Sequence, residues 1–508
     1  MTTYVFFIGG TGARVLRSLT MLLASGVSIG ENNKIIPIII DYDAENGDLL
    51  RSLELLESYN KLHNTAKYNN DERGFFRTPI EVNNYSMVNI KLDENKSNFA
   101  DFIGWDTLDE ETRLFLRTLY DDSSNKDPKT ELNLKLDLGF KGNPNIGSVV
   151  FNDYFRQKEY GYADFHNSLP AKGDMRVFIV GSIFGGTGSS GLPQLVKKFR
   201  NSDKPALKLA PLGACVVLPY FKVSNDTESA INSDTFYSKS KAALTYYEKE
   251  INKKMTEIYY IGCDKQENAY ANEQGGKAQS NDAHLVELLS AMSIVEFAKR
   301  KFSDENIVDN PTYYEYTTST GIDEQTSSLK KGTSYLDLLG TSMQNDINID
   351  SVYSNYVRHM NAFAYFSKYC MHNTYGEGLK SPKDEGGFLK GAQGYYKELK
   401  NGIAKGTDFG NEMLKFQHGF IAWAEQMEAN QQLHFDPYEF AQELENVLNV
   451  NDGTTKVKGI EDCMQKALQS ELNRIKVSTG IPTNGEGAAF IRIGSVAGLA
   501  AADKINNK

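Results

Sequence analysis

Cysteine is scarce in this sequence, and the four cysteines are widely spaced. Cys215, Cys263, Cys370 and Cys463 include no CxxC pair, which is the spacing that structural zinc sites and redox motifs use. The pattern therefore favours neither a zinc site nor a disulfide framework, and it is typical of proteins from a reducing compartment.

Long apolar runs and basic clusters are missing as well. No stretch approaches the roughly 18 apolar residues of a membrane-spanning helix, and the first residues have neither the basic start nor the long apolar core of a signal peptide. The 508 residues carry a net charge of −11, without the Lys/Arg-rich run that a nucleic-acid footprint requires. We expect a soluble cytoplasmic protein that neither inserts directly into a membrane nor binds nucleic acid.

A glycine-rich turn near the middle of the chain follows an apolar run of strand length at 177–181 and precedes a helical pattern at 192–200. The turn reads Phe184-Gly185-Gly186-Thr187-Gly188-Ser189. In such a strand, turn and helix the backbone can approach a ligand closely, and the N–H groups of the helix start attract an anion. The pattern predicts a phosphate-binding loop. The alternative is a tight turn that uses glycine only for its backbone freedom.

Two further loops have the same character. The first follows the strand-like residues 4–8 and precedes a helical pattern at 15–24. It reads Gly9-Gly10-Thr11-Gly12-Ala13-Arg14. The other, at 138–148, contains Lys141, Gly142, Asn143 and Pro144, and its lysine can meet a phosphate as a point charge. A plain surface turn is the alternative for this last loop.

Acidic residues end the second buried strand, which covers 35–40. Asp41 and Asp43 follow it, and at the carboxyl end of a parallel strand such side chains can hold a metal ion, a water or a sugar hydroxyl. Capping the helical segment 47–62 is the alternative. Pro37 is unusual for a central strand because it has no N–H to donate.

The order of the elements predicts the fold class. Strand and helix patterns alternate up to residue 302, with further strands at 209–220 and 257–262 and helices at 238–253 and 281–302. Such alternation predicts an α/β fold with a mainly parallel sheet covered on both faces. The polar segment 64–135, with a helix at 110–120, is interpreted as an insertion.

Helical patterns dominate beyond residue 302. They cover 349–372, 408–430 and 437–448, and strands are predicted at 313–318 and in the sequence AAFIRIG at 488–494. We expect residues 1–302 to form one domain and 303–508 a second, more helical α+β domain. Four histidines have apolar or helical surroundings, and we interpret them as structural: His284, His359, His418 and His434.

Five segments, in this order, resemble motifs of the tubulin and FtsZ superfamily. The first glycine loop resembles GGAGGN of FtsZ, residues 40–44 (IDYDA) resemble INTDA, residues 142–147 (GNPNIG) resemble GANPEIG, residues 184–190 (FGGTGSS) resemble GGGTG[ST]G, and Ser280-Asn281-Asp282 resembles the AND that begins the core helix. The resemblance implies a Rossmann-like GTP-binding domain over 1–302 with its core helix at 281–302. It also implies GTP or GDP in the glycine loops, Mg²⁺ at the phosphates, and Asp43, Asn281 and Asp282 in the site.

Three positions depart from the family pattern. Phe184 replaces the first glycine of the central motif, Arg14 replaces an asparagine, and Cys263-Asp264 stands where FtsZ has the Asn-Asp of IPND. A thiol cannot present the paired donor and acceptor of an amide, so recognition of the base would fall to Asp282. The choice between guanine and adenine stays open at this point.

The catalytic NxDxxD loop of the family has a partial counterpart at 304–309, where Asp304, Glu305 and Asp309 are the candidate carboxylates. The resemblance implies a slow GTPase whose subunits stack head to tail into filaments, each supplying a carboxylate to its neighbour. The alternative is a non-hydrolysing nucleotide-bound switch or scaffold that binds a protein partner through the C-terminal domain. A third hypothesis is a dinucleotide-binding oxidoreductase, because GGTGA after a first strand also occurs near NAD(P) sites, although it leaves the other two loops unexplained.

Overall fold

A parallel β-sheet lies at the centre of the structure, which is a computed structural model. The structure describes residues 1–43, 45–66, 74–89, 98–120, 130–136, 139–140, 142–156, 161–170, 174–223, 236–263, 269–270, 276–277, 281–302, 311–316, 356–372, 408–429 and 485–506. Their strands are β1 (Thr2–Ile8), β2 (Lys34–Asp41), β3 (Met87–Asn89), β4 (Met175–Ser182), β5 (Leu212–Val217), β6 (Lys222–Val223), β7 (Glu257–Ile261), β8 (Ala269–Tyr270) and β9 (Thr312–Tyr316).

The helices in these ranges connect and cover the strands. They are α1 (Gly9–Ala24), α2 (Gly47–Ala66), α3 (Phe99–Ile103), α4 (Glu110–Arg117), α5 (Pro144–Tyr154), α6 (Tyr162–Ser168), α7 (Gly186–Arg200), α8 (Pro205–Lys208), α9 (Phe236–Glu250), α10 (Leu285–Lys299), α11 (Arg358–His372), α12 (Asp408–Ala429) and α13 (Gly485–Asn506). Short 3₁₀ turns occupy Trp105–Thr107 and Asn252–Lys254.

Seven strands form the main sheet in the order β3-β2-β1-β4-β5-β7-β9, and all neighbouring pairs are parallel. β6 and β8 form a separate parallel pair. Helices α1, α2 and α10 pack on one face of the main sheet, and α5, α6 and α7 pack on the other. The predicted α/β fold class with a mainly parallel sheet is confirmed.

Strand β1 illustrates why the sheet strands are apolar throughout. Val5 and Phe7 belong to the apolar cluster that contains α1, α2 and α10, whereas Phe6 and Ile8 belong to the cluster that contains α5 and α7. Successive side chains of a strand point to opposite faces. A continuous apolar run is therefore what a strand covered on both faces requires.

Pro37 is tolerated in β2 because of where the neighbouring segment runs. The N–H groups of Ile35 and Ile39 donate to Pro79 O (3.0 Å) and Ser86 O (2.8 Å) on the β3 side of the strand. Pro37 lies two residues from both Ile35 and Ile39, so its backbone nitrogen faces the same side of the strand. It lies between these two contacts, where the segment 81–86 bends away before β3 begins. The missing N–H of proline costs no ladder hydrogen bond at this position.

Helices α11, α12 and α13 form a further apolar layer against α1, α2 and α10. All six helices contribute to one cluster of buried apolar residues, and Trp423 Nε1 of α12 donates to Ser18 Oγ of α1 at 3.2 Å. Strand β9, which follows residue 302, pairs with β7 in the main sheet. The division into domains at residue 302 stays a prediction, and the sheet itself extends across that position.

Two segments differ from the sequence-based expectations. Residues 488–494, predicted as a strand, lie inside α13, where Phe490 packs on Phe366 of α11 with ring centroids 5.2 Å apart. The strand prediction was wrong. A short apolar run fits a buried helix as well as a strand, and hydrophobic periodicity alone cannot distinguish the two. Within the segment interpreted as an insertion, Met87–Asn89 forms the edge strand β3. The predicted helix at 437–448 lies outside the described residues.

Candidate functional site

The candidate site lies where the winding of the sheet reverses direction. β1 and β4 are neighbours at the middle of the sheet; the chain leaves β1 towards β2 and β3, and it leaves β4 towards β5 and β7. In an open parallel sheet this reversal leaves a crevice at the carboxyl ends of the two strands, where α/β proteins bind ligands. The first and central glycine loops follow β1 and β4 directly.

The three glycine loops are in contact with one another at this crevice. A Cβ atom built on Gly9 would lie 3.3 Å from Cβ of Thr187, and one on Gly139 would lie 3.4 Å from Thr187 Oγ1. A Cβ on Gly186 would lie 3.0 Å from the backbone nitrogen of Gly142. Turns that lie far apart in the sequence, after β1, at 139–142 and after β4, therefore converge on one point of the sheet edge.

Two helices begin at this point without a capping side chain. α1 starts at Gly9 after Ile8, and α7 starts at Gly186 after Gly185; neither preceding residue has a side-chain oxygen that could cap the helix. The first turns of α1 and α7 contain no acidic residue. The first N–H groups of a helix lack intrahelical acceptors, and the positive dipole end favours a negative charge. The arrangement is suited to an anion such as phosphate.

The glycines of the loops serve different purposes. A Cβ on Gly12 would lie 2.7 Å from the carbonyl carbon of Phe7, and one on Gly188 would lie 2.6 Å from the backbone of Ser182. These two glycines allow a helix to pack closely on the strand before it. This is a packing role that requires no ligand. Gly10 differs, because its nearest described neighbours would be Arg14 Nη1 and Asn46 Nδ2, both 3.9 Å from a Cβ. A Cβ at Gly10 would therefore make only ordinary van der Waals contacts with the described residues.

Arg14 lies in a buried network rather than at an open edge. Its side chain is 4% exposed, and it donates to Glu287 Oε1 at 2.7 Å, Asp48 Oδ2 at 3.0 Å and the Tyr220 hydroxyl at 2.8 Å. Tyr220 in turn donates to Glu287 Oε1 at 2.7 Å. One guanidinium thus joins α1, α2, the loop after β5 and α10. A contact of Arg14 with a ligand stays a prediction, and its observed partners are two buried carboxylates.

The charges of this network support one another. Burial raises the pKa of Glu287 and opposes the charged form of Arg14, while the attraction between Arg14 and its acidic neighbours raises the pKa of Arg14 well above its ordinary value. His284 lies at the end of the network, where burial and the charge of Arg14 lower its pKa to about 3. The neutral His284 ring accepts from Val286 N at 3.1 Å and caps α10. This is the structural role expected for it.

Asn281, predicted to belong to the nucleotide site, is connected to the first loop through Asp48. Its backbone nitrogen donates to Asp48 Oδ1 at 3.2 Å and its side-chain Nδ2 donates to Asp48 Oδ2 at 3.0 Å. Arg51 also donates to Asp48 Oδ1. Asp282, the next residue, is exposed just before α10 begins. The structure therefore places the predicted base contacts on the face of the sheet that carries α1, α2 and α10.

The remaining predicted binding residues have defined positions. Phe184 is buried and packs on Phe236 of α9, with centroids 4.9 Å apart, so it fills an aromatic cluster. Cys263 is buried after β7, with its backbone nitrogen 3.3 Å from Pro219 O. Ser189 Oγ donates within the first turn of α7 to Gly185 O. Other predicted contacts lie outside the described residues: Lys141, Asp264, Asp304, Glu305 and Asp309.

The acidic end of β2 is adjacent to the first loop. Ile40 pairs with Ile8, so Asp41 lies beside Gly9 at the sheet edge. The carboxylate of Asp43 accepts from the backbone nitrogens of Glu45 (3.2 Å) and Gly276 (2.5 Å). Helix α2 is capped by Asn46 instead, whose Oδ1 accepts from Asp48 N at 2.9 Å and Leu49 N at 3.2 Å.

Asp41 has the chemistry that the implied Mg²⁺ would need. Its Oδ2 is buried without a hydrogen-bond partner among the described residues, and burial, with Asp43 and Asp48 nearby, raises its pKa to about 7. Mg²⁺ is typically held by one or two carboxylates together with phosphate oxygens and waters. Asp41 therefore fits as the protein ligand, although the described residues contain no cluster of three or more His, Cys, Asp or Glu side chains suited to a metal.

Sequence analysis did not identify Lys239. Its Nζ, in the first turn of α9, donates to Gly142 O at 2.8 Å and would lie 3.2 Å from a Cβ on Gly142. No local motif surrounds it, and the loop it contacts is 97 residues away. Burial lowers the pKa of Lys239, and the charge of Glu131 opposes this shift.

Comparisons with known proteins identify no family. No family profile matches the sequence, and no curated protein matches it. Among solved structures, the chain is similar to CetZ2 from Haloferax volcanii in a GTPγS-bound protofilament, with 11% sequence identity and a TM-score of 0.28. The match covers 59% of this chain and 58% of that one, so the chain spans less than two thirds of the neighbour. The α/β fold is established by the strand order itself. In the described part of the chain, no helix combines the length and apolar character needed to cross a membrane.

Proposed function

We propose that this protein binds a guanine nucleotide, GTP or GDP, in the crevice between β1 and β4. The convergence of three glycine-bearing loops on that crevice carries the proposal. It is supported by two helix starts without capping side chains or first-turn acids, which suit the phosphates. Asn281 and Asp282 lie on the α10 side, where the base would be. Asp41 would hold Mg²⁺, which when bound neutralises phosphate charge.

We further propose slow GTP hydrolysis that is activated by head-to-tail self-assembly. Glycine loops and dipoles hold phosphates but supply no proton acceptor, so the attacking water would need a carboxylate from elsewhere. The candidates Asp304, Glu305 and Asp309 follow α10, and a contact in which one subunit completes the site of the next is heterologous and leads to filaments.

The second candidate is a nucleotide-bound switch or scaffold that does not hydrolyse GTP. It is favoured by the connection from the site to the C-terminal helices. Ala283 N, four residues from the Arg14 partner Glu287, donates to Gln426 Oε1 of α12 at 3.2 Å. A ligand that shifts the start of α10 would therefore act on α12, which a protein partner could bind.

Nucleotide content tests the proposal directly. The purified protein is denatured, and the released nucleotide is identified by anion-exchange chromatography against GTP, GDP, ATP and NAD standards. Stoichiometric GTP or GDP is the expected result. NAD would favour the oxidoreductase hypothesis. An empty protein that also shows no binding of added GTPγS would refute the proposal.

Assembly and hydrolysis separate the two candidates. Light scattering and phosphate release are followed with GTP, GDP or no nucleotide over a range of protein concentrations. A GTP-dependent rise in scattering with phosphate release that steepens with protein concentration supports the filament-forming GTPase. Binding of GTP without either signal supports the switch or scaffold.

A further inference from the structure

Lys239 is held at the glycine loops by the packing of α9. Phe236, one turn before it, packs on Phe184 of the central loop with ring centroids 4.9 Å apart. At the other end of the helix, the Tyr247 hydroxyl donates to Ser189 O of α7 at 3.0 Å. With both ends of α9 attached to the central loop and its helix, the position of Lys239 relative to the loops is fixed.

The ammonium of Lys239 contacts the loop residue that packs on the start of α7. Nζ donates to Gly142 O at 2.8 Å, and the nitrogen of the same Gly142 is 3.0 Å from the position of a Cβ on Gly186. Gly142 O is its only hydrogen-bond acceptor among the described residues. An ammonium has three N–H donors, so two of them are left for an anion at the start of α7.

The two ends of the crevice are chemically different. On the face of α1, α2 and α10 lie Asn281 and the buried carboxylates Asp48 and Glu287, and Arg14 is already paired with both carboxylates. On the face of α5 and α7 lie Gly142 and the cation of Lys239. A nucleotide whose base lies beside Asn281 would extend its phosphate chain across the starts of α1 and α7 towards Lys239.

We propose that Lys239 binds the phosphate group farthest from the base and so determines the preference of the site for the longer phosphate chains. This inference rests on the proposed nucleotide-binding function and adds a residue to it. The lysine acts as a point charge and closes the phosphate end of the crevice from α9. The carbonyl of Gly142 orients the ammonium, and the burial of its stem makes the charge more effective than at a free surface.

The experiment compares affinities for GMP, GDP and GTPγS, measured by calorimetry, in the full chain and three variants. Lys239→Met removes the charge, Lys239→Gln removes the charge but keeps an N–H donor for Gly142 O, and Lys239→Arg keeps the charge. Lys241→Met is the matched control, because Lys241 is exposed on the same helix. Loss of a charge-assisted hydrogen bond is expected to weaken binding of the longest chain about 10- to 100-fold, with GMP unaffected and partial retention in Lys239→Arg.

The outcomes distinguish the two proposals. If the wild type binds none of the three nucleotides, the proposed function fails and the role of Lys239 fails with it. If the wild type binds and the Met and Gln variants bind equally well, only the role of Lys239 is refuted. Equal weakening of GMP and GTPγS binding in the variants would also refute this role. A lysine that only holds the loop at Gly142 in place would affect the binding of every nucleotide to the same extent. Acetylation of wild-type lysines with and without GTPγS provides a test that needs no variant: Lys239 should be protected and Lys241 should not, and unprotected Lys239 would overturn the proposal.

Discussion

Gly10 offers the sharpest test of the site, because its substitution separates ligand binding from folding. A Cβ at this position meets Arg14 Nη1 and Asn46 Nδ2, both at 3.9 Å, which is an ordinary van der Waals distance. Gly10 is helical and is not among the glycines with positive φ. Since glycine in a helix is about 0.5–1 kcal/mol less favourable than alanine, Gly10→Ala should leave the free energy of unfolding unchanged or raise it by up to about 1 kcal/mol.

Nucleotide affinity should fall in the same variant. A phosphate oxygen that accepts from the N–H groups at the start of α1 must approach the backbone to about 2.8 Å, and a methyl group on Gly10 would occupy part of the space beside that turn. Loss of one charge-assisted hydrogen bond costs about 1.5–3 kcal/mol, which is roughly a 10- to 150-fold increase in Kd. Gly10→Val fills more of the space, and we expect the larger loss from it.

Stability is measured by urea unfolding and affinity by titration with GTPγS. Gly419, inside α12, is the matched control: its Cβ would lie 3.8 Å from Met21 Cε, so Gly419→Ala should change stability to a similar extent without changing affinity. A Gly10→Val protein that unfolds like the wild type and binds GTPγS with the same Kd would refute a phosphate at the start of α1. Gly186→Val is less informative, since its Cβ would come 2.8 Å from Phe140 Cβ and the loop itself would have to move.

Three further predictions concern the surroundings of the site. Arg14→Met leaves two buried carboxylates without their cation and should lower the free energy of unfolding by about 3–5 kcal/mol. Lys34→Met, which breaks an exposed ion pair, should lower it by less than about 1 kcal/mol. Similar urea midpoints for both variants would contradict a stabilising role of the buried Arg14 ion pairs. His284 has a lower pKa in the folded protein, about 3, than in the unfolded chain, about 6.5, so the unfolded chain gains the proton first and stability falls as the pH drops below about 6.5; the loss is about 2 kcal/mol at pH 5. His284→Asn keeps an N-cap acceptor and should remove that part of the pH dependence of unfolding, and a slope equal to that of the wild type would exclude His284 as its source. Gly12→Ala places a Cβ 2.7 Å from the backbone of Phe7 and should cost about 1–3 kcal/mol, in contrast to Gly10→Ala; equal thermal stability of the two variants would show that this close approach relaxes freely.

The parts of the fold that follow from local patterns were predictable. A buried strand, a glycine turn and a helix are each encoded within about 25 residues, so β1 with α1 and β4 with α7 could be identified from the sequence. Their alternation predicted the parallel sheet. Strand β3 was not identified because its three residues, Met87–Asn89, lie in a polar segment and become a strand only by pairing with β2. Residues 488–494 were assigned to the wrong element because a short apolar run fits a buried helix as well as a strand.

The candidate site was predictable where it depends on backbone and unpredictable where it depends on distant side chains. The sequence indicates that Gly9, Gly139 and Gly186 belong to phosphate-type loops. It cannot distinguish Gly10, where a Cβ would make only ordinary van der Waals contacts, from Gly12, which packs on a strand. Arg14 illustrates the same limit. Its partners are 34, 206 and 273 positions away, so a side chain that resembles a ligand contact in the sequence is a cation between buried acids in the structure.

The shared layer of α11, α12 and α13 has a consequence for any shortened form of this protein. Phe76, next to α2, packs on Phe363 and Phe416 from two of these helices. If translation stopped at residue 302, the ring of Phe76 and its apolar neighbours would be exposed to solvent. Such a fragment would expose residues that are buried in the full chain, and we expect it to aggregate or to bind chaperones. Helices α11, α12 and α13 therefore cover apolar surface of the part of the chain that carries the glycine loops, and a shortened form should retain these helices.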